Sequence, residues 1–200
     1  YLEHEGQIVQ IEFLNESVYT NVSISKSGYT EVVPGQEIRY TFKDIGNNST
    51  VPLDSFYWRD TLPTDAVRLD KIITGTYSAR LNYKVVFQTN LSNTQRVLAD
   101  NLNTLQNYTL DASPAALGLA SNEYVTQVTF LFGRVPGGFR QVETPYIYCD
   151  VLSGLSHEYR FANKCDVGGM WKNQWIQATD RWVTIVYRGG PVPTLPRTGY

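Results

Sequence analysis

Hydrophobic and polar residues alternate with a period of two along most of the chain. The alternation is seen in four segments, at Val9, Ile11 and Phe13, at Ile38, Tyr40 and Phe42, at Tyr83, Val85 and Phe87, and at Val128, Phe130 and Phe132. The segment from Trp182 to Tyr187 is a last apolar run of the same kind. Since successive side chains of a strand point to opposite faces, this pattern predicts antiparallel strands with one buried and one solvated face.

Turn residues separate these runs. Pro34-Gly35 and Pro136-Gly137 each fit the central pair of a type II turn, in which glycine supplies the positive φ. Gly168-Gly169 is a further loop signal. Short strands that recur with turns between them are typical of a sandwich or a partly closed barrel.

Helical content is predicted to be small. Ser113 can serve as the N-cap of a short helix that begins at Pro114, and Ala99 to Leu105 is a second candidate for a helical turn. Neither segment is long enough to define the fold. We therefore predict an all-β protein with one or two short helical turns.

The composition excludes one broad class of function. The hydrophobic fraction of 42% is sufficient for a core, and the formal net charge is −2 with no basic run. A nucleic-acid partner would require a strong positive surface, so none is expected. The sequence offers no motif for a cofactor.

The two cysteines, Cys149 and Cys165, leave two alternatives open. A disulfide requires that their strands be neighbours, but a tight hairpin at residues 153–156 would set Cys149 opposite a residue near Arg160. Two buried free thiols are the simpler interpretation.

Residues 189–200 differ from the rest of the chain. They are rich in proline and glycine and lack periodicity, which predicts an extended tail. The tail contains the pentapeptide Leu195-Pro196-Arg197-Thr198-Gly199. This pentapeptide resembles the LPxTG sorting signal of Gram-positive surface proteins. In that family an apolar segment and a basic tail follow the signal, and the sequence given ends at Tyr200.

The resemblance implies that a sortase cleaves between Thr198 and Gly199 and passes the Thr198 carboxyl group to an amine of the peptidoglycan precursor. The partners implied are therefore a sortase and that precursor, and the location implied is extracellular, on the cell wall. A flexible proline-containing tail suits this role, because the catalytic cysteine of the sortase must reach one exposed carbonyl group.

The body of the chain carries a second resemblance. Val33-Pro34-Gly35-Gln36, the strand residues 38–42, Gly46-Asn47 and Asp60-Thr61-Leu62-Pro63 follow one another in a familiar order. They resemble the prokaryotic conserved-repeat surface domain, the eleventh catalogued domain of unknown function, over residues 22–65 and loosely over 145–170. This resemblance implies an Ig-like antiparallel β-sandwich that serves as a stalk or adhesive module.

Two domain arrangements are compatible with the pattern. One has two β lobes, at residues 1–76 and 77–188. In the other, strands from residues 145–188 complete the first sandwich and the segment between is a β insertion.

Ig-type surface domains of Gram-positive bacteria sometimes carry a Lys–Asn isopeptide crosslink. Such a crosslink needs a lysine on the first strand, an asparagine on the last strand and a buried carboxylic acid between them. The set nominated from the sequence is Lys26, Asn163 and Glu143.

Other chemistry is weakly indicated. His4 and His157 fit no catalytic or zinc template, so neither catalytic residues nor a metal site are predicted. The acidic residues Asp60, Asp65 and Asp70 are interpreted as solvated turn residues.

Trp171 and Trp175 lie in a polar, glycine-flanked stretch, where exposed rings could stack on sugars. The function predicted is a non-catalytic stalk or adhesion domain of a wall-anchored protein, with a host glycan or protein as a candidate ligand. The alternative is a carbohydrate-binding module on the same anchor.

Overall fold

The computed structural model describes residues 17–189. The predicted strand at Val9–Phe13 and the sorting signal at Leu195–Gly199 lie outside the described residues. Twelve strands and one short helix are described, with these bounds: β1 Val22–Ser27, β2 Glu31–Val32, β3 Glu37–Asn47, β4 Leu53–Thr61, β5 Val67–Ile73, β6 Asn82–Thr89, β7 Ser92–Asn103, β8 Thr109–Asp111, α1 Pro114–Leu117, β9 Val125–Val135, β10 Tyr146–Val151, β11 Arg160–Trp171 and β12 Gln174–Val186.

The strands form two sheets. One has five strands in the order β1-β3-β10-β5-β8, and the other has seven in the order β2-β12-β11-β4-β9-β6-β7. All the pairings are antiparallel except that of the two-residue strand β2 with β12. The predicted all-β antiparallel sandwich is therefore confirmed.

The core of the sandwich is aromatic. The predicted inward positions of β3, β6 and β9 are buried, including Tyr40 and Phe130. The ring of Trp58 stacks on Phe130 with 4.1 Å between centroids and lies 4.8 Å from Phe42. Aromatic pairs of this kind contribute about 0.5–1.5 kcal/mol each beyond the burial of their area. The period-two pattern thus identified the buried face correctly on these strands.

The chain does not divide at residue 77. The five-stranded sheet combines β1, β3 and β5 with the later strands β8 and β10, and β11 pairs with β4 in the other sheet. One continuous hydrophobic cluster includes residues from both parts. Strands from residues 145–188 do complete a sandwich with the first strands, and β6, β7 and β9 extend the same seven-stranded sheet.

Two turn predictions have different outcomes. Pro34-Gly35 is the central pair of its turn, since Gln36 N donates to Val33 O and Gly35 has φ +81°. The second turn is shifted by one residue, because Phe139 N donates to Pro136 O and the positive φ of 83° lies at Gly138. Its central pair is therefore Gly137-Gly138.

Gly168 and Gly169 lie inside β11 and do not form a loop. A Cβ atom at Gly168 would lie 2.9 Å from the ring of Tyr57, and one at Gly169 would lie 2.8 Å from Leu53 Cβ. The two glycines are thus explained by the close approach of β4 side chains to the β11 backbone.

The helix prediction is confirmed at one segment and wrong at the other. Ser113 caps α1, because its side chain accepts a hydrogen bond from Ala116 N, and Pro114 is the first helical residue. Residues 99–103 belong to strand β7. Long-range pairing with β6 therefore prevails over the weak local signal for a helical turn.

The two cysteines are free and buried. The hairpin considered between their strands does not form, because Cys149 lies on β10, which pairs with β3 and β5, whereas Cys165 lies on β11 of the other sheet. The structure therefore has two buried free thiols, the simpler of the two interpretations.

Candidate functional site

The first component of the site is a lysine in the interior of the sandwich. Lys26 is on β1, paired with Phe42, and its side chain has no exposure to solvent. Its Nζ donates to Asp60 Oδ1 at 2.8 Å. The ammonium group also lies over two aromatic rings, 4.4 Å from the centroid of Tyr40 and 4.2 Å from that of Phe42. A cation over ring faces is attracted by their quadrupoles, which partly offsets the loss of hydration.

The second component is the carboxyl group of Asp60 on β4. Asp60 follows Phe56 and Trp58 at alternate positions, so its side chain points to the same buried face. Burial raises the pKa of Asp60 above its usual value, and the charge and hydrogen bond of Lys26 oppose the rise. A carboxyl group with a raised pKa can take a proton from a neighbouring ammonium group more readily than a solvated one can.

The third component is Asn163 on β11, which is fully buried. Its Nδ2 donates to Asp60 Oδ2 at 3.2 Å, while its Oδ1 has no hydrogen-bond partner. Asp60 therefore contacts the lysine amine with one oxygen and the asparagine amide nitrogen with the other. The three side chains form a continuous polar cluster, which we call the Lys-Asp-Asn cluster.

The strand arrangement explains how this cluster forms. Lys26 comes from the five-stranded sheet, and Asp60 and Asn163 come from the seven-stranded sheet. Asp60 is directly paired with Cys165, two residues after Asn163. The edge strand β1 is held against β12 because Asp180 Oδ2 accepts a hydrogen bond from Lys26 N at 2.8 Å.

The surroundings of the cluster are aromatic and shielded from solvent. Tyr40, Phe42 and Trp58 are fully buried. In such an environment a neutral pair of amine and carboxylic acid competes with the ion pair, because both charges are poorly solvated. The neutral lysine amine is a nucleophile, and the amide carbon of Asn163 is the electrophile within the same cluster.

The structure brings together two of the three residues nominated for a crosslink and replaces the third. The carboxyl group between Lys26 and Asn163 is that of Asp60. Glu143 lies in an exposed segment before β10, where its backbone N–H donates to Thr76 Oγ1 at 3.0 Å. The interpretation of Asp60 as a solvated turn residue is wrong, and its alternation with Phe56 and Trp58 was the sequence signal for its burial.

The two tryptophans nominated for sugar stacking lie on opposite faces of the β11–β12 hairpin. Trp171 pairs with Gln174, and the adjacent pair is Met170 with Trp175, so the side chains alternate between faces. Trp171 is partly buried against the core. Trp175 is 50% exposed, and its ring meets that of Tyr57 edge-on at 6.0 Å. A single sugar ring therefore cannot stack on both tryptophans.

Polar groups surround Trp175. The Tyr57 hydroxyl donates to Asp166 Oδ2 at 2.7 Å and accepts from Gln177 Nε2 at 3.0 Å. Asp166 also receives two hydrogen bonds from Arg59.

Residues 17–189 contain neither a metal-binding group of side chains nor a membrane-spanning helix. No group of three or more histidine, cysteine or acidic side chains is placed to hold a metal ion there. In that same part of the chain no helix has the length and apolar character needed to cross a membrane.

Similar proteins were found among solved structures only. No family model matches the chain, and no curated protein matches it. The resemblance of residues 22–65 to the conserved-repeat surface domain therefore stays a prediction.

The similar structures include a cohesin module, a subdomain of a surface protein and a putative membrane-anchored protein. The cohesin module of a Clostridium perfringens family 33 glycoside hydrolase is 11% identical, with 86% of this chain and 98% of that chain covered and a TM-score of 0.42. The collagen-binding subdomain of the Enterococcus faecalis surface protein ACE is 13% identical, with 86% and 100% covered and a TM-score of 0.33.

A putative membrane-anchored protein from Corynebacterium diphtheriae is 14% identical, with 92% of this chain and 38% of that chain covered and a TM-score of 0.38. At these identities and TM-scores, the similarities do not assign a function to this chain.

Proposed function

We propose that this chain is a non-catalytic stalk or adhesion domain of a wall-anchored surface protein, locked by an isopeptide bond between Lys26 and Asn163. The observation that supports the crosslink is the Lys-Asp-Asn cluster itself. Lys26 Nζ and Asn163 Nδ2 both contact the Asp60 carboxylate, at 2.8 and 3.2 Å, in the interior of the sandwich. Buried lysines are uncommon, and the carboxyl group that this lysine contacts is also bound by the Asn163 amide.

The reaction is balanced without an external reagent. Asp60 takes a proton from the Lys26 ammonium group, and the neutral Nζ attacks Cγ of Asn163. A new bond forms between Nζ and Cγ, and the bond between Cγ and Nδ2 breaks. Asp60 transfers that proton to Nδ2, which leaves as ammonia, and then accepts the second proton that Nζ loses, so Nζ ends as the N–H of the new amide and Asp60 ends protonated. The product is one amide bond between the two sheets, and the chain loses the mass of one ammonia molecule.

Intact mass spectrometry of the denatured chain tests the crosslink. We expect the mass of the parent chain to be lower, by one ammonia molecule, than the mass calculated from its sequence. The Lys26→Ala, Asp60→Asn and Asn163→Ala chains should each have the mass calculated from their own sequence. Lys164→Ala is the matched control, because Lys164 neighbours Asn163 on β11 but is exposed, so that chain should still lose ammonia. An unmodified mass in the parent chain contradicts the proposal.

The anchoring part of the proposal has separate support. The pentapeptide Leu195–Gly199 matches the sorting signal in full, at the end of a proline- and glycine-rich segment. Incubation with a class A sortase and a glycine-based amine should remove Gly199-Tyr200 and join the amine to Thr198. A Thr198→Ala chain is the control. If the parent chain is not modified, the assignment of sortase and peptidoglycan precursor as partners is wrong.

Carbohydrate binding is a second candidate function, favoured by the half-exposed ring of Trp175 beside Tyr57, Asp166 and Gln177. An apolar ring face next to hydrogen-bonding groups is suited to a sugar. A glycan array should show binding that Trp175→Ala abolishes and Trp171→Ala retains. A stalk without a glycan ligand binds nothing on the array.

A further inference from the structure

Two polar atoms in the interior lack hydrogen-bond partners and belong to side chains that contact the Lys26–Asp60 pair, one through Lys26 and the other through Asp60. They are Tyr40 Oη and Asn163 Oδ1. Buried polar atoms are hydrogen-bonded in the large majority of cases, so unpaired ones call for an explanation. Here one atom is a hydroxyl donor and the other is a carbonyl acceptor.

Tyr40 is placed at the Lys-Asp-Asn cluster by its strand. It is fully buried on β3, and its ring lies under Lys26 Nζ at 4.4 Å. Burial raises the pKa of Tyr40 well above its ordinary value, and the nearby charges of Cys149, Asp60 and Asp65 act in the same direction. The Asn163 side chain is near enough to act on the pKa of the phenol, opposing the rise. The hydroxyl is therefore protonated at neutral pH and available as a donor.

The contacts of Asp60 do not stabilise Asn163 Oδ1. One carboxyl oxygen of Asp60 contacts the attacking nitrogen, and the other contacts the nitrogen that leaves. Neither hydrogen bond reaches Asn163 Oδ1, although negative charge develops on that oxygen when Nζ adds to Cγ. In a site shielded from solvent, a preorganised donor aimed at the developing charge accelerates the reaction.

We propose that Tyr40 is a catalytic residue of the Lys26–Asn163 reaction and donates a hydrogen bond to Asn163 Oδ1 as it becomes an oxyanion. This inference rests on the proposed crosslink and assigns separate roles in it to Asp60 and Tyr40. Asp60 takes two protons from Nζ in turn and passes the first of them to Nδ2. Tyr40 transfers no proton, and its hydroxyl is unchanged when ammonia leaves and the carbonyl group re-forms.

The experiment is a time course of ammonia loss by the full chain during cell-free synthesis, with samples quenched in denaturant and their intact masses measured. Removal of one oxyanion donor slows a reaction by about 10²–10³-fold. We expect Tyr40→Phe to lose ammonia more slowly than the parent chain by a factor in this range. Equal rates in the two chains overturn the role of Tyr40 and leave the crosslink intact, whereas no ammonia loss in the parent chain overturns the crosslink itself.

Tyr83→Phe is the matched control. Tyr83 is also a buried tyrosine whose Oη lacks a partner, and its ring stacks on Phe130 and Phe132, outside the Lys-Asp-Asn cluster. Removal of the Tyr83 hydroxyl group should leave the rate of ammonia release unchanged. A slowing equal to that of Tyr40→Phe would mean that the effect comes from the core, and would overturn the proposal.

A second variant retains the donor. A fluorotyrosine incorporated at position 40 keeps the hydroxyl group and makes it a stronger acid. We expect ammonia loss at the parent rate or faster. A rate as low as that of Tyr40→Phe overturns the proposal. Thermal melting compares a chain that carries both Tyr40→Phe and Asn163→Ala with the Asn163→Ala chain. Neither of these chains can form the bond, so the comparison reports the effect of Tyr40→Phe on folding alone.

Discussion

Lys26 Nζ lies 2.8 Å from Asp60 Oδ1, and both side chains are completely shielded from solvent. The pair joins the two sheets of the sandwich, since Lys26 is on β1 and Asp60 is on β4. A buried charge that loses its partner is strongly destabilising, whereas replacement of a whole buried pair by apolar residues is often tolerated. This difference distinguishes the effect of the ion pair from that of a covalent crosslink.

The ion pair can be tested in a chain that cannot crosslink. In the Asn163→Ala background, Asp60→Ala should lower the free energy of unfolding by about 3–5 kcal/mol, because the lysine ammonium group stays buried without a counterion. A chain that also carries Lys26→Met should recover most of this loss. Urea unfolding of the three chains measures the difference. Equal stability of the two Asp60→Ala chains would contradict the prediction.

The glycines of β11 provide a second prediction. Gly169→Ala places a Cβ 2.8 Å from the Cβ of Leu53, which is fully buried and cannot move away. Overpacking of this kind costs about 1–3 kcal/mol. Gly154→Ala is the control, because a Cβ there meets no atom within 4 Å. Thermal or urea unfolding should show a loss for Gly169→Ala only, and a neutral Gly169→Ala would show that β4 can shift.

The thiols should be inert in the folded protein. Burial raises the pKa of Cys165 to about 12 and that of Cys149 well above its ordinary value. Since the thiolate is the reactive form, iodoacetamide at pH 8 should modify neither cysteine in the native chain and both in guanidinium chloride. Mass spectrometry measures the number of adducts. Stoichiometric labelling of the native chain would contradict the buried positions, and a lack of labelling in denaturant without reductant would indicate a disulfide.

Alkaline pH should destabilise the fold in part through Tyr83. Burial raises the pKa of Tyr83 to about 12, whereas an unfolded tyrosine titrates near pH 10. The folded state then holds the proton more tightly, so the contribution of this residue is complete below about pH 10 and is lost between about pH 10 and 12.

Tyr83→Phe removes the titrating hydroxyl group and with it this loss of stability at alkaline pH. Relative to the parent chain, its free energy of unfolding should increase by about 1 kcal/mol between pH 8 and pH 11. Denaturant unfolding at both pH values checks this, with Tyr19→Phe, at an exposed position, as the control. A difference between Tyr83→Phe and parent that does not change with pH would contradict the prediction.

Local patterns predicted the strands but not their partners. The alternation at Ile38, Tyr40 and Phe42 identified a buried face because side-chain direction in a strand depends only on position. The pairing of β10 with β3 and β5 depends on contacts between distant segments, so the interleaved sheets and the separate cysteines were not predictable from spacing. Gly168 and Gly169 were predicted to form a loop for the same reason, because the side chains that require glycine at these positions lie on β4.

The cluster was predicted in part for a similar reason. Lys26 and Asn163 were nominated from their positions near the two ends of the predicted sandwich. Asp60 was missed because an aspartate beside Leu62-Pro63 fits a turn, and its burial depends on a lysine from another sheet. Its alternation with two buried aromatic residues was the available signal, and greater weight on that period would have selected it.

The positions of Lys26 and Asn163 along the chain set the order of events during biosynthesis. Lys26 on β1 leaves the ribosome before Asn163 on β11, and the two side chains meet only when the sheets have assembled around them. The proposed bond therefore cannot close before β11 has been synthesised. Once closed, it converts the segment between the two residues into a covalent ring, which no longer passes through a narrow pore as a single extended strand. Any passage of the chain through such a pore must precede the reaction.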